Sequence, residues 1–237
     1  PYHGAAYAVV EAAAKVVAAG ARYDRMRYSY QEYFERMTRD PRSWGKPLGA
    51  LLGALKMQVE LGLPSIGGKD SMSGTFQHIN VPPMLMAFGI TTVNAGTVIS
   101  TDFKKAGNRI YLVRHTPREN HMPDTAQLKD NFGFVSENIE RGNILAAWSV
   151  EMDEAELFGY AYGSILVESA VELTHPAAGL LGMTAAEGAL TVNGVKMPLD
   201  ALYKANTEKF AAVYPDKGEN HAGVMTSEPA PRTFAYR

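Results

Sequence analysis

Residues 64–76 constrain the fold of this chain more than any other segment, because they place two adjacent glycines between two apolar elements. Glycine lacks a Cβ atom, so the backbone at Gly67 and Gly68 can reach positive φ and approach a ligand closely. A cation, a carboxylate and two hydroxyl groups follow: Lys69, Asp70, Ser71 and Ser73. Backbone N–H groups beside a lysine can hold several anionic oxygens. The segment therefore predicts either a site for phosphate or magnesium phosphate, or a polar surface turn.

The segment does not follow the Walker A pattern of P-loop enzymes. That pattern requires a glycine where this chain has Leu63. It also requires serine or threonine directly after the lysine, where the chain has Asp70. A P-loop site is therefore excluded.

The net charge and hydropathy exclude several classes of function. A net charge of −2 and an isoelectric point near 6.4 provide no field that would gather nucleic acid or an anionic membrane. No apolar run approaches the ~18 residues of a membrane span, and the first residues lack the pattern of a signal peptide. We therefore expect a cytoplasmic protein that binds neither nucleic acid nor membrane. The chain begins at Pro1 rather than methionine, which suits a fragment.

Side chains for thiol and metal chemistry are scarce. The chain has no cysteine, which excludes disulfides, zinc–thiolate sites and a cysteine nucleophile. Its six histidines show neither His-x-x-x-His nor His-Glu-x-x-His spacing, so we expect no histidine metal site. The absence of a Gly-x-Ser-x-Gly motif argues against a serine hydrolase.

The first half of the chain predicts two helices among several strands. Residues 4–19 carry alanine and valine at helical spacing, and Gly20 is placed to end that helix. A second helix is predicted from Pro47 onward. Its apolar residues form a stripe typical of an amphipathic helix: Leu48, Leu51, Leu52, Leu55 and Val59. The predicted strands cover residues 26–30, 84–93 and 97–100.

A linker at residues 102–108 divides the chain into two predicted domains of an α/β (α+β) fold. The expected domains are 1–104 and 105–215, followed by a linker or tail at 216–237. The second domain mixes strands with helices. The predicted strands are 109–114, 144–150, 164–168 and 191–197, and the predicted helices are 124–141, 153–160 and 199–213. The pair Asn193-Gly194 favours a hairpin turn within the last strand region.

Residues 67–73, Gly-Gly-Lys-Asp-Ser-Met-Ser, resemble the Gly-Lys-Asp-Ser-Met-Ser loop of the phosphoribosylformylglycinamidine synthase family. Three further segments are similar to this family and occur in the expected order: residues 1–6, the helix through Glu11, and residues 164–168. The resemblance implies a two-domain synthetase of the aminoimidazole-ribonucleotide-synthetase-like type, with an incomplete N-terminal part.

The resemblance also implies a C–N ligase of purine biosynthesis that uses ATP and Mg²⁺ and takes ammonia from glutamine. Its substrate would be formylglycinamide ribonucleotide. Because this chain has no cysteine, the glutaminase domain that frees ammonia must lie outside it. A preceding synthetase half is the other expected partner, and we expect the chain alone to be inactive.

The family's motif assigns expected roles within residues 67–73. Gly67, Gly68 and Lys69 are expected to bind the phosphates of ATP, and Lys69 would stabilise the charge that develops there. Asp70 is expected to orient Mg²⁺ or Lys69, so Lys69 and Asp70 are the expected catalytic residues. Ser71 and Ser73 are expected to bind substrate.

Glu11 has two interpretations. Lys15 lies four residues away on the same helix face, which predicts an ion pair worth about 0.3 to 0.5 kcal/mol. The resemblance instead makes Glu11 a Mg²⁺ ligand, although the family's pattern has asparagine where this chain has Lys15.

Other readings of the sequence remain open. The family is internally duplicated, so this half could hold nucleotide only as a structural element, or hold none. A related enzyme of the same fold, such as aminoimidazole ribonucleotide synthetase, is a further alternative. The strand at residues 145–150 passes directly into Asp153 without the glycine-rich turn of the family, which suggests that residues are missing between Met152 and Asp153.

Overall fold

The computed structural model describes residues 1–153 and 159–210, with the backbone alone for residues 151–153, 159, 160 and 210. The chain divides into two compact units, Pro1–Ala186 and Glu187–Arg237. The domain boundary predicted near residue 104 falls within the first unit and stays a prediction. No helix of the described part is long and apolar enough to cross a membrane.

The first unit contains three helices and nine strands among its described residues. In chain order they are α1 (Tyr2–Ala18), β1 (Arg27–Tyr33), α2 (Pro41–Leu61), β2 (Ser65–Ser71), β3 (Thr75–Phe76), β4 (Ile79–Asn80), β5 (Met84–Ile90), β6 (Arg109–Val113), α3 (Thr125–Glu140), β7 (Ile144–Asp153), β8 (Gly159–Ser169) and β9 (Ala178–Met183). The second unit contributes β10 (Ala189–Val192), β11 (Val195–Pro198) and α4 (Leu199–Thr207).

Two sheets organise the first unit. One has the strand order β2-β1-β5, with β1 parallel to β2 and antiparallel to β5. The other is antiparallel and has the order β7-β8-β6-β9. The strands β3 and β4 form a separate short hairpin.

Helix α1 packs against both sheets. It contacts β5 of the first sheet, β7 and β8 of the second, and helices α2 and α3. Alanine and valine cover most of its surface, and nine of its residues are buried. A helix that is apolar on most sides is expected in the centre of a domain. Gly20, at φ 95°, follows the last turn as predicted.

Helix α2 packs against α1 through its small residues rather than through the predicted leucine stripe. Gly53 lies so close to α1 that an added Cβ would be 2.1 Å from the carbonyl oxygen of Tyr2. The buried face is built around Ala50, Ala54 and Met57. The stripe residues are 46 to 72% exposed: Leu48, Leu51, Leu52, Leu55 and Val59. The periodicity therefore predicted the helix, while close contact between the two backbones decided which face is buried.

The start of α2 also differs from the prediction. The helix begins at Pro41, six residues before Pro47, because Asp40 accepts a hydrogen bond from the backbone N–H of Arg42 at 3.0 Å. An aspartate cap followed by proline at the first helical position is a strong start signal. The left-handed Gly62, at φ 76°, ends the helix.

Several predicted elements of the later chain are different in the structure. The strand predicted at 97–100 is wrong: Ala95–Thr97 is a 3₁₀ turn, stabilised by the side chain of Asn94, which accepts from the N–H of Gly96 at 3.0 Å. The hairpin turn at Asn193-Gly194 is confirmed between β10 and β11.

The helix predicted at 153–160 has strand residues at both ends, because β7 continues to Asp153 and β8 begins at Gly159. The intervening residues 154–158 lie outside the described residues. The same holds for the end of the helix predicted at 199–213 and for the predicted tail. Strand β7 runs through Met152 and Asp153, and the suggestion of missing residues there stays a prediction.

Candidate functional site

The segment predicted as a loop at residues 67–73 is mostly a β-strand at the edge of the first sheet. Strand β2 pairs in parallel with β1, so that Gly68 lies opposite Tyr30 and Lys69 opposite Gln31. The strand pairing fixes the backbone of residues 67–71, and the predicted bend is absent there. Met72 and Ser73 lie beyond the strand.

Both glycines of the segment meet a structural requirement of this pairing. Gly67 has φ 154°, a conformation that residues with side chains rarely adopt. At Gly68, an added Cβ would lie 2.6 Å from the carbonyl oxygen of Tyr30. The glycine pair thus permits β2 to approach β1, whether or not a ligand binds beside it.

The alternation of the strand places Lys69 and Asp70 on opposite faces of the sheet. The ammonium of Lys69 lies 4.7 Å from the ring centroid of Tyr33 and is on the outer face of β1. Asp70 lies opposite Glu32, whose side chain is on the buried face. The structure therefore does not bring the two expected catalytic side chains together at one point.

Lys69 instead shares its face with a serine pair. Ser71 lies two residues along the same strand, and its Oγ is 3.5 Å from Oγ of Ser73. An ammonium and two hydroxyl groups are all capable of donating hydrogen bonds to anionic oxygens. Of the predicted phosphate and substrate residues, these three form one polar surface.

A cavity of about 260 Å³ adjoins the carboxyl end of β1, and no residue of the 67–73 segment lines it. Its wall includes Phe34, whose backbone N–H donates to the carbonyl oxygen of Ser71 at 2.8 Å. Gly4 and Ala5 of the first turn of α1 form another part of the wall. No acidic residue occupies that turn, so the positive end of the helix dipole faces the cavity without a compensating carboxylate.

Glu11 lies on α1 and faces the second sheet. Its Oε1 is 3.1 Å from the ammonium of Lys15 and accepts from Oγ of Ser149, on β7, at 3.0 Å. The predicted Glu11–Lys15 ion pair is therefore present. The other oxygen, Oε2, is buried and has no partner among the described residues.

The fit of these residues to Mg²⁺ is partial. The unpartnered Oε2 of Glu11 is a carboxylate oxygen of the type that Mg²⁺ prefers, but the Lys15 ammonium lies on the other side of the same carboxylate. No group of three or more His, Cys, Asp or Glu side chains in the described part of the chain is arranged to hold a metal. A Mg²⁺ ion at Glu11 would therefore need oxygens from water or from a phosphate.

Glu32 is a candidate functional residue that the sequence analysis did not consider. It is only 5% exposed, and its Oε1 has no partner among the described residues. Burial raises the pKa of this carboxyl, and the neighbouring charge of Asp70 raises the pKa further. The signal in the sequence was the alternation Tyr28, Tyr30, Glu32, which places a carboxylate on the buried face of a strand.

Glu168, within the segment that resembles the synthase family, has a structural role. It is fully buried and accepts backbone N–H groups of Lys104 at 2.7 Å and Lys105 at 3.1 Å. It also accepts from Nδ2 of Asn108 at 2.6 Å. Three donors satisfy this carboxylate, so it holds the 104–108 segment against β8.

No protein-family model matches the chain, and no curated protein matches it. Several solved structures match the chain. Phosphoribosylformylglycinamidine synthase II from Thermotoga maritima matches at 19% identity and a TM-score of 0.56, covering 77% of this chain and 31% of that one. PurL from T. maritima complexed with AMPPCP matches at 15% identity and 0.59, covering 85% and 41%. E. coli HypE, a hydrogenase maturation protein, matches at 13% identity and 0.59, covering 83% and 79%.

The chain has the PurL–HypE fold. The predicted α/β fold class of the aminoimidazole-ribonucleotide-synthetase-like type is therefore confirmed. At these identities the likeness concerns the fold alone. The chain spans 31% and 41% of the lengths of the two Thermotoga chains, and 79% of the length of HypE.

Proposed function

We propose that this chain is part of the synthetase region of a PurL-type, ATP-dependent C–N ligase. Such an enzyme converts formylglycinamide ribonucleotide (FGAR) to formylglycinamidine ribonucleotide. The observation that carries the proposal is the joint presence of the PurL–HypE fold and the Gly-Gly-Lys-Asp-Ser-Met-Ser segment on an edge strand. T. maritima PurL has been solved in complex with ATP and with FGAR.

In this proposal, the face of β2 that carries Lys69 receives phosphate oxygens. Contact with the Tyr33 ring keeps the Lys69 ammonium over the sheet. Ser71 and Ser73 contribute hydroxyl donors. Gly67 and Gly68 leave the strand edge without side chains, so its outer N–H groups are accessible to an anion. ATP, when bound, would supply the phosphoryl group that converts the substrate's amide oxygen into a leaving group.

The two proposed Mg²⁺ ligands, Glu11 and Asp70, lie at two separate places in the structure. Glu11 is assigned to Mg²⁺ because its Oε2 has no partner among the described residues. Asp70 keeps its predicted role as a metal ligand on the opposite face of the sheet from Lys69. Mg²⁺ would neutralise charge on the phosphates of ATP.

Ammonia has to come from another domain, because the chain has no cysteine nucleophile for glutamine hydrolysis. One matching structure is the PurLQS assembly of T. maritima. By analogy, the partners proposed for this chain are a glutaminase domain and a preceding synthetase half, and we expect the chain alone to be inactive.

Thermal unfolding of the 237-residue chain with and without ATP and Mg²⁺ tests the phosphate site. At about 100 times the dissociation constant, ATP should add about 2.7 kcal/mol of stability, which corresponds to a rise in Tm of roughly 5 to 10 °C. Lys69→Ala should abolish most of the rise. Lys129→Ala, at an exposed lysine on α3, is the matched control and should preserve it. The absence of any rise in the wild type contradicts the proposal.

A second candidate is a non-catalytic half that holds nucleotide structurally or holds none. The contact between Lys15 and Glu11 favours it, because an ammonium beside the carboxylate opposes metal binding. A third candidate is a related ATP-using enzyme of the same fold, such as aminoimidazole ribonucleotide synthetase, since the fold also matches a protein outside the PurL type, HypE, over 79% of its length. Thermal stabilisation by FGAR in addition to ATP would separate the PurL-type ligase from both.

A further inference from the structure

Glu32 and Asp70 form a pair of carboxylates on adjacent strands of the first sheet. They are direct partners in the parallel register of β1 and β2, so their side chains leave the same face of the sheet. Glu32 is 5% exposed, while Asp70 is exposed. The pair thus has one buried and one accessible member, and ions can reach it from the Asp70 side.

No positive side chain of the described residues forms an ion pair with this carboxylate pair. Across the described ranges 1–153 and 159–210, no lysine, arginine or histidine forms an ion pair with Glu32 or Asp70. The nearest lysine in sequence, Lys69, extends from the opposite face and contacts Tyr33. Glu35, three residues from Glu32, is already paired with Lys46 at 2.7 Å.

The buried oxygen of Glu32 needs a partner. Its Oε1 accepts no hydrogen bond from any described residue. A buried carboxylate without a donor or a cation is strongly unfavourable, and a neighbouring carboxylate increases the cost. The orphaned oxygen and the adjacent Asp70 together point to a ligand with positive charge.

We propose that Glu32 and Asp70 bind a divalent cation of the hard, oxygen-preferring class, Mg²⁺ or Mn²⁺. Mg²⁺ commonly keeps several waters and takes only one or two carboxylates from a protein. A two-carboxylate site therefore needs no third acidic ligand, which agrees with the lack of any larger ligand cluster in the described part of the chain. The site is separate from Glu11, whose carboxylate bonds to Ser149 of the second sheet.

The inference shares Asp70 with the proposed function but does not require nucleotide. The cation would link β1 to the edge strand β2 and so hold in place the strand that carries Lys69. Binding of Mn²⁺ alone, without ATP, tests the cation site independently of the phosphate site. If Mn²⁺ alone does not bind, the ATP-dependent rise in Tm still tests the phosphate site. If ATP gives no rise in Tm, the Mn²⁺ titration still tests the cation site.

The experiment measures free Mn²⁺ by electron paramagnetic resonance while the full 237-residue chain is titrated without nucleotide. The wild type should bind one Mn²⁺ at this pair, and Mg²⁺ should displace it. Glu32→Gln and Asp70→Asn should each weaken binding at least about tenfold. Glu172→Gln, at an exposed glutamate, is the matched control and should bind as the wild type does.

Three results would overturn the inference. The first is a wild type that binds no Mn²⁺, which would leave Glu32 as a neutral carboxyl group. The second is unchanged binding in both variants. The third is loss of binding in Glu11→Gln with full binding in Asp70→Asn, which would place the cation at Glu11. Circular dichroism verifies folding, and the exposed Asp70→Asn substitution provides a test even if Glu32→Gln does not fold.

Discussion

Nε2 of His115 accepts a hydrogen bond from the backbone N–H of Asp124 at 3.0 Å. Its Nδ1 lies 2.8 Å from the carbonyl oxygen of Tyr162, which can only accept, so Nδ1 carries the proton. The ring is buried, and these two contacts fix its tautomer, with the proton on Nδ1. His115 thereby connects the end of β6 with the cap of α3 and with β8.

This arrangement predicts acid sensitivity. Burial lowers the pKa of His115 below its ordinary value of about 6.5. Below pH 6.5 the unfolded chain therefore binds a proton that the folded chain does not, and stability is lost as the pH falls toward the folded-state pKa. Urea unfolding at pH 7.5 and at pH 5 should show this loss in the wild type.

Substitution of His115 tests whether this residue causes the pH dependence. In His115→Gln the His115 part of the loss should disappear, since glutamine does not titrate in this range. His78→Gln, at an exposed histidine, should retain the wild-type dependence. Equal pH dependence in His115→Gln and the wild type would count against the assignment.

Gly68→Ala should destabilise the chain by about 1 to 3 kcal/mol, the usual cost of overpacking. The reason is the 2.6 Å approach of an added Cβ to the carbonyl oxygen of Tyr30, a backbone atom that cannot move away without disturbing β1. Gly182→Ala, on β9, has nothing within 4 Å of the added atom and should be near neutral. Denaturant midpoints measure both, and equal effects would argue against the close approach.

Glu168→Gln should cost roughly 2 to 4 kcal/mol of stability. The amide has one accepting oxygen, and its NH₂ group would face the donors that the carboxylate now satisfies, among them Nδ2 of Asn108. Glu172→Gln, at an exposed position, should change stability by less than about 0.5 kcal/mol. Urea unfolding followed by circular dichroism compares the two, and a neutral Glu168→Gln would refute the network.

The two faces of α2 should respond differently to truncation. Met57 is fully buried, and Met57→Ala should cost about 2 to 5 kcal/mol. Leu55 is 53% exposed, and Leu55→Ala should cost less than about 1 kcal/mol in the isolated chain. A large effect at Leu55 with a small one at Met57 would mean that the leucine stripe faces the core. Thermal unfolding of both variants decides the question.

Much of the local structure could be predicted because its causes are local. The alanine-rich pattern of α1 with its terminal Gly20, the ion pair of Glu11 with Lys15 and the hairpin at Asn193-Gly194 each depend on residues a few positions apart. The structure of the candidate site was harder to predict from the sequence. The sequence shows its residue types but predicts a loop where the structure has an edge strand, because a glycine pair beside polar residues is also typical of turns.

The sequence by itself determined where helices α1 and α2 form, which residue types could handle phosphate, and that no thiol chemistry is possible. Only the tertiary structure decided which sides of these elements are buried. Gly53 allows α1 to approach α2 and leaves the leucines outside. Pairing of β2 with β1 separates Lys69 from Asp70 and brings Asp70 beside Glu32. The physical reason is distance along the chain: residues 38 positions apart meet only through sheet register, which local propensity does not encode.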